Sequence, residues 1–171
     1  MREPTLTSWP EIGSRSFHVY IVINKLDMKK FIICLYGPAN TGKTSSIRWV
    51  DEILQSYGVK LVKVLLDEND ICKEIIFRNH KVGLLSLGDP DSGHLNYLNQ
   101  LADDECEVIV CTSRSKGATC DAVTQIVSKY NYEIYWISPL YEYNGNHPLV
   151  LDMHELNAEF IIKAILSVYL Y

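Results

Sequence analysis

The sequence predicts an α/β domain of three layers, a mostly parallel five-stranded sheet with helices on both faces. Short apolar stretches of strand length alternate with stretches whose apolar residues recur at helical spacing. That alternation is the mark of a parallel sheet built from strand–helix–strand crossovers. A chain of 171 residues is also long enough to bury such a sheet as one domain. Crossovers are expected to be right-handed, and ligands to bind beyond the carboxyl ends of the strands. Polar residues at those ends are therefore the first candidates for function.

Residues 1–16 carry Pro4, Pro10, Gly13 and several Ser and Thr without a periodic pattern, and read as a poorly ordered arm. Phe17 to Ile23 fits one extra strand. Residues 1–27 are thus read as an N-terminal arm, with a domain over 28–171 opening at Met28. Deleting 1–27 should leave folding and ligand binding intact, and loss of either would contradict that boundary.

Phe31 to Tyr36 is the first apolar strand. A helix follows to Tyr57, with Ile47, Val50 and Leu54 on one face and Gly58 as its stop. Val59 to Leu66 is a strand, and Asp67-Glu68-Asn69-Asp70 is expected to turn into a helical stretch containing Ile71, Ile75 and Ile76. Val82 to Leu87 is a strand ended by Gly88-Asp89-Pro90. A short helix then places Leu95, Leu98 and Leu101 at three-residue steps. Glu107 to Thr112 reads as a buried strand, and Thr119 to Lys129 as a helix with Val123, Ile126 and Val127 inward. Glu133 to Ile137 is the last strand. Asn157 to Leu170 is the last helix, with Phe160, Ile161, Ala164, Ile165 and Val168 inward. Neither internal repeats nor low-complexity runs occur.

Composition is that of an ordinary soluble domain, 47% hydrophobic and 22% charged. The net charge of −5 argues against a broad nucleic-acid-binding surface, which carries a basic excess. Five cysteines, Cys34, Cys72, Cys106, Cys111 and Cys120, contain no C-x-x-C pair. An odd count without a signal peptide points to a reducing compartment, so a cytoplasmic location is expected. No apolar run approaches the roughly 18 residues that span a bilayer. The histidines (His18, His80, His94, His147, His154) show no metal-ligand spacing.

Between the first strand and the first helix stands Gly37-Pro38-Ala39-Asn40-Thr41-Gly42-Lys43-Thr44, a G-x-x-x-x-G-K-[ST] loop in the context its chemistry needs. Gly37 and Gly42 allow backbone angles that turn successive N–H groups inward around a phosphate. The helix beginning near Gly42 adds unpaired N–H groups and its positive dipole end. The sequence here resembles the P-loop NTPase superfamily. The strand–helix pattern matches in outline over about residues 31–170, but only the loop is specific. The resemblance implies a nucleoside triphosphate, ATP rather than GTP, cradled by Gly37 through Ser45. Lys43 would lie on the terminal phosphates and the Thr44 hydroxyl on Mg²⁺.

Three residues outside the loop are further candidates. Asp89 follows an apolar strand and resembles the position that holds Mg²⁺ in this superfamily, although Gly-Asp-Pro is also good turn chemistry. Pro90 beside it, where another branch carries glutamate, favours the kinase–GTPase side. Asp67 ends the second strand, where small P-loop kinases often place the residue that meets the acceptor hydroxyl; a solvated, helix-capping turn is the plainer reading. Arg114, followed by Lys116, stands past the fourth strand, at the edge shared with the loop, where a cation neutralises a transferring phosphoryl group. Arg48, one turn past Thr44, is read as solvent-facing. Tyr130, Tyr132, Tyr135, Trp136, Tyr141 and Tyr143 around the last strand read as core aromatics rather than a stacking platform.

Asn24-Lys25-Leu26-Asp27 matches the N-K-x-D guanine motif of GTPases. Only nine residues separate Asp27 from Gly37, which leaves no room for the intervening element, so it is read as chance. The expected function is Mg²⁺-dependent nucleotide binding with γ-phosphate hydrolysis or transfer, leaning to a small-molecule or nucleotide kinase with an unspecified acceptor. The lack of a long arginine-rich lid favours hydrolysis. The alternative is a nucleotide-dependent switch or assembly module controlling a protein partner, with residues 90–93 as its moving part.

Overall fold

The computed structural model describes residues 29–141 and 149–170. The expectations for the 1–27 arm, Met28, the N-K-x-D match, Tyr143, His18, His147 and the side chain of Val168 fall outside what is described.

Ten elements follow one another: β1 (Lys30–Tyr36), α1 (Lys43–Ser56), β2 (Lys60–Asp67), β3 (Ile71–Phe77), β4 (His80–Leu85), α2 (His94–Asp103), β5 (Val108–Ser113), α3 (Ala118–Tyr130), β6 (Tyr132–Ile137) and α4 (Leu149–Leu170). The strands form one sheet in the order β2-β3-β4-β5-β1-β6. β1 lies between β5 and β6, parallel to both, with Cys34 level with Cys111 on one side and Trp136 on the other. β4 and β5 are also parallel.

Alternation along the central strands splits the core into two. Phe31, Ile33 and Leu35 of β1 face α1 and α4, where Ile47, Val50, Leu54, Ala158, Ile161 and Ile165 close over them. Ile32 and Cys34 face α2 and α3, meeting Leu98, Leu101, Val123 and Ile126. The three-layer expectation and helices on both faces therefore hold.

The sheet is mixed and has six strands, which corrects the five-stranded, mostly parallel expectation. β2, β3 and β4 form an antiparallel meander at one end. The correction traces to residues 71–77, expected as a helix and found as β3. Ile71, Ile75 and Ile76 fit a helical stripe, but β-branched residues also favour strands. Lys73 and Glu74 between them are buried. Lys73 Nζ lies 2.8 Å from Asp51 Oδ2 on α1. The hairpin turns on Arg78 and Asn79, at φ of +50° and +68°, with Phe77 and His80 as the closing pair. Two positive-φ residues make the type I′ geometry that suits a twisted two-strand ribbon.

Two smaller corrections concern exposure. Phe160 of α4 is 56% exposed, because it lies off the Ala158–Ile161–Ile165 stripe by one helical step. Tyr135 and Trp136 are 49% and 38% exposed, because β6 is an edge strand covered on one side only.

The chain leaves β1 for α1 on one face of the sheet and leaves β5 for α3 on the other. The loops after adjacent strands β1 and β5 thus diverge and open a crevice at their carboxyl ends.

Candidate functional site

The crevice is a cavity of about 440 Å³. It is lined by Ala39 to Ser45 of the loop, by Asp70, Gly88, Asp89, Thr112 and Arg114 at the strand ends, and by Tyr141, Met153 and His154. The loop keeps its shape through backbone conformations that few residues tolerate: Asn40 has φ of +57° and Gly42 of +72°. Asparagine enters the left-handed region more readily than other side chains do, and glycine enters it freely. Gly37 N–H donates to the Ser113 carbonyl at 3.2 Å and Ser46 N–H to the Gly42 carbonyl at 2.8 Å, so the loop is tied to β5 at one end and to α1 at the other.

Lys43 is only 8% exposed. Its ammonium donates to the carbonyl of Gly37 at 3.0 Å, to that of Pro38, and to Thr41 Oγ1 at 3.3 Å. Burial depresses its pKa from the ordinary lysine value, the Arg114 guanidinium depresses it further, and Asp89 and Cys34 oppose them. Two cations thus share one cavity, at a cost that an anion between them would relieve.

The carboxylates sort differently from expectation. Asp70, noticed in the sequence only as a neighbour of Asp67, sits beside the loop, with Oδ1 accepting from Thr44 Oγ1 at 3.3 Å and from Ser86 Oγ at 2.8 Å. Ser86 fixes the register here, its Oγ accepting from Ile71 N–H at 2.9 Å and its carbonyl receiving Thr112 Oγ1 at 2.8 Å. Asp89 stands beyond the end of β4 and pairs with Arg114. Both line the cavity.

Asp67 is not brought to the cavity. It is half exposed and 3.2 Å from Lys73, so the structure gives it an ion pair on the β2–β3 hairpin. Arg48, expected in solvent, donates to the Glu68 carbonyl and braces the turn that carries Asp70. Of the aromatics, Tyr132 is buried and Tyr141 lines the cavity.

His154 and Asn157 of α4 have no counterpart among the expected residues. A Cβ built on Gly42 would stand 2.6 Å from His154 Cδ2 and nearer still to Nε2, so the imidazole rests on the bare Gly42 backbone. Burial lowers its pKa and favours the neutral ring. The available signal was a pair of polar residues three apart in an apolar helix. The signal for Asp70 was the hairpin itself, since β3 antiparallel to β4 puts the residue before β3 next to the end of β4.

Three oxygens meet at Thr44: its hydroxyl, the Asp70 carboxylate and the Ser86 carbonyl, which is 3.3 Å from Thr44 Oγ1. Hard oxygen ligands of this kind, few in number and leaving room for water and phosphate, are what Mg²⁺ takes. Among the described residues no helix is long and apolar enough to cross a membrane.

No family model matches the chain, and no curated protein matches it. A solved structure, the crystal structure of APE1195, is similar to it at a TM-score of 0.35 and 16% identity, over 82% of this chain and 73% of that one. Function is therefore argued from the cavity.

Proposed function

We propose that the chain is a P-loop NTPase that binds a nucleoside triphosphate with Mg²⁺, ATP in preference to GTP, and hydrolyses or transfers its γ-phosphate. One observation carries the reading: Lys43 is buried at the amino end of α1, within a loop of positive-φ residues that lines the cavity. Its ammonium is held by the loop's own oxygens. A buried ammonium that borrows neutral oxygens gains more from phosphate oxygens, which form charge-assisted bonds.

In this reading the loop N–H groups and α1 hold the phosphate chain, and Lys43 transfers from the loop carbonyls to the terminal phosphates. Thr44 and Asp70 would hold Mg²⁺, which would supply charge neutralisation. Arg114 stabilises the charge that develops on the transferring group, and Asp89 orients its guanidinium. With Asp67 paired to Lys73 and outside the cavity lining, the acceptor-side residue expected of a small-molecule kinase is not supplied there, which favours hydrolysis over transfer.

The test is thermal stability of the full chain with ATP, GTP or their diphosphates, each with Mg²⁺, beside the protein alone. A ligand that binds only the folded state stabilises it by about 2.7 kcal/mol at a hundredfold excess over Kd. ATP should raise the melting temperature and GTP should do so less. No shift with any nucleotide would overturn the proposal.

A further inference from the structure

α4 contributes Met153 and His154 to the cavity lining, and its contact with the loop is constructed rather than incidental. Asn157 is 7% exposed, and its side-chain amide is fully engaged. Oδ1 accepts from Leu140 N–H at 2.9 Å, and Nδ2 donates to the Leu140 carbonyl at 3.0 Å and to Ser46 Oγ at 3.2 Å. Ser46 Oγ in turn donates to the Gly42 carbonyl at 3.0 Å. One amide therefore ties α4 to the segment leaving β6 and to the first turn of α1, at the residue where the loop becomes helix. Bonds of a buried amide are costly to leave unmade, so the register of α4 on the loop is strongly specified.

His154 stands three residues before Asn157, on the same face of α4. The clamp at Asn157 thus fixes where the imidazole lies. The ring edge rests on Gly42, which lacks the side chain that would exclude it. It shares the cavity lining with Lys43, Thr44 and Arg114, and its ring makes no hydrogen bond among the described residues. A neutral imidazole carries one N–H, so it can donate to an oxygen without first acquiring charge.

We propose that His154 is a phosphate-contacting residue of the nucleotide site and that Asn157 is the residue that positions it. This rests on the function proposed above and adds α4 to the machinery that the loop motif describes. The ring stands where α1 presents its unpaired N–H groups, so a phosphate seated there lies within reach of both.

The test is calorimetric titration of the full chain with Mg·ATP and, separately, with Mg·tripolyphosphate, which has the phosphates and no base. Wild type is compared with His154→Ala, His154→Gln, Asn157→Ala and the His154→Ala/Asn157→Ala double variant, each first checked for an intact melting transition. His154→Ala should weaken both ligands about tenfold, a loss of about 1.4 kcal/mol. His154→Gln, which retains an N–H donor, should recover part of the loss. Asn157→Ala should match His154→Ala, and the double variant should be no worse than either, because both changes act through one ring. Unchanged or tighter binding by His154→Ala would overturn the proposal, since the ring would then only fill space. A loss with Mg·ATP but not with Mg·tripolyphosphate would overturn it too, placing the ring against the base. Should Asn157→Ala fail to fold, the two His154 variants decide. A wild type that binds neither ligand overturns the function itself, whereas a wild type that binds while His154→Ala is unaffected overturns this inference alone.

Discussion

Lys43→Ala separates the chemistry of the loop from its folding, and the size of both effects can be worked from the contacts. The substitution removes an ammonium that donates to two carbonyls and one hydroxyl of the loop. Those bonds are offset by desolvation, which already depresses the lysine pKa. The freed oxygens border an open cavity and can be rehydrated, so the stability of the unliganded protein should change by no more than about 1 kcal/mol. Binding is different. A hydrogen bond to a charged group contributes about 1.5–3 kcal/mol, so losing the lysine–phosphate contact should raise Kd roughly 10- to 150-fold. At ATP set to a hundred times the wild-type Kd, wild type gains about 2.7 kcal/mol, whereas a variant weakened about a hundredfold gains only about 0.4 kcal/mol. For a domain of this size that is a melting-temperature rise of about 5–11 °C against about 1–2 °C. Differential scanning fluorimetry with and without Mg·ATP reads both numbers on one plate. A folded Lys43→Ala protein that shifts as far as wild type would refute the reasoning, because the ammonium would then not face the ligand.

Asp70→Asn should abolish nucleotide-dependent Mn²⁺ binding, followed by the loss of free-ion electron paramagnetic resonance signal, while Asp89→Asn, whose carboxylate is committed to Arg114, should leave it within about threefold. The reverse pattern would return the metal to Asp89. Asn79→Val should destabilise the protein by about 1–2 kcal/mol in denaturant titration, since a β-branched residue cannot readily adopt φ of +68°; a neutral result would contradict the hairpin. His154 has a folded-state pKa lowered by burial, so the unfolded chain protonates first, near pH 6.5. Its contribution to stability is present above that pH and lost as pH falls through the lower folded value, and His154→Gln should flatten the corresponding slope between about pH 7 and 5. An identical slope in the two proteins would rule that out.

Much of the fold was legible because burial on both faces leaves a strong signature. β1 and β5 read as continuous apolar runs, and α1, α2 and α3 as stripes with period near 3.6, since each has one neighbour layer to satisfy. The hairpin was not legible for a physical reason. Lys73 and Glu74 are hidden by charges contributed from elsewhere, Asp51 on α1 for the lysine, and Lys63 on β2 and Lys81 on β4 for the glutamate. A local pattern cannot display partners that stand on other elements. The same displacement moved Asp67 out of the site and Asp70 into it.

What the sequence by itself determined is the glycine loop between β1 and α1 and its setting. Glycine where the backbone must turn left-handed, lysine and threonine at the start of a helix, and an apolar strand before them are local requirements, met within fourteen residues of chain from Phe31 to Thr44. The tertiary structure alone decided which groups face that loop. Asp70 arrives by antiparallel pairing of β3 with β4, Arg114 by the position of β5 beside β1, and His154 by the packing of α4 over α1. Each of these depends on free energy shared among distant elements, through buried apolar area and paired charge, and such terms have no address in the local sequence.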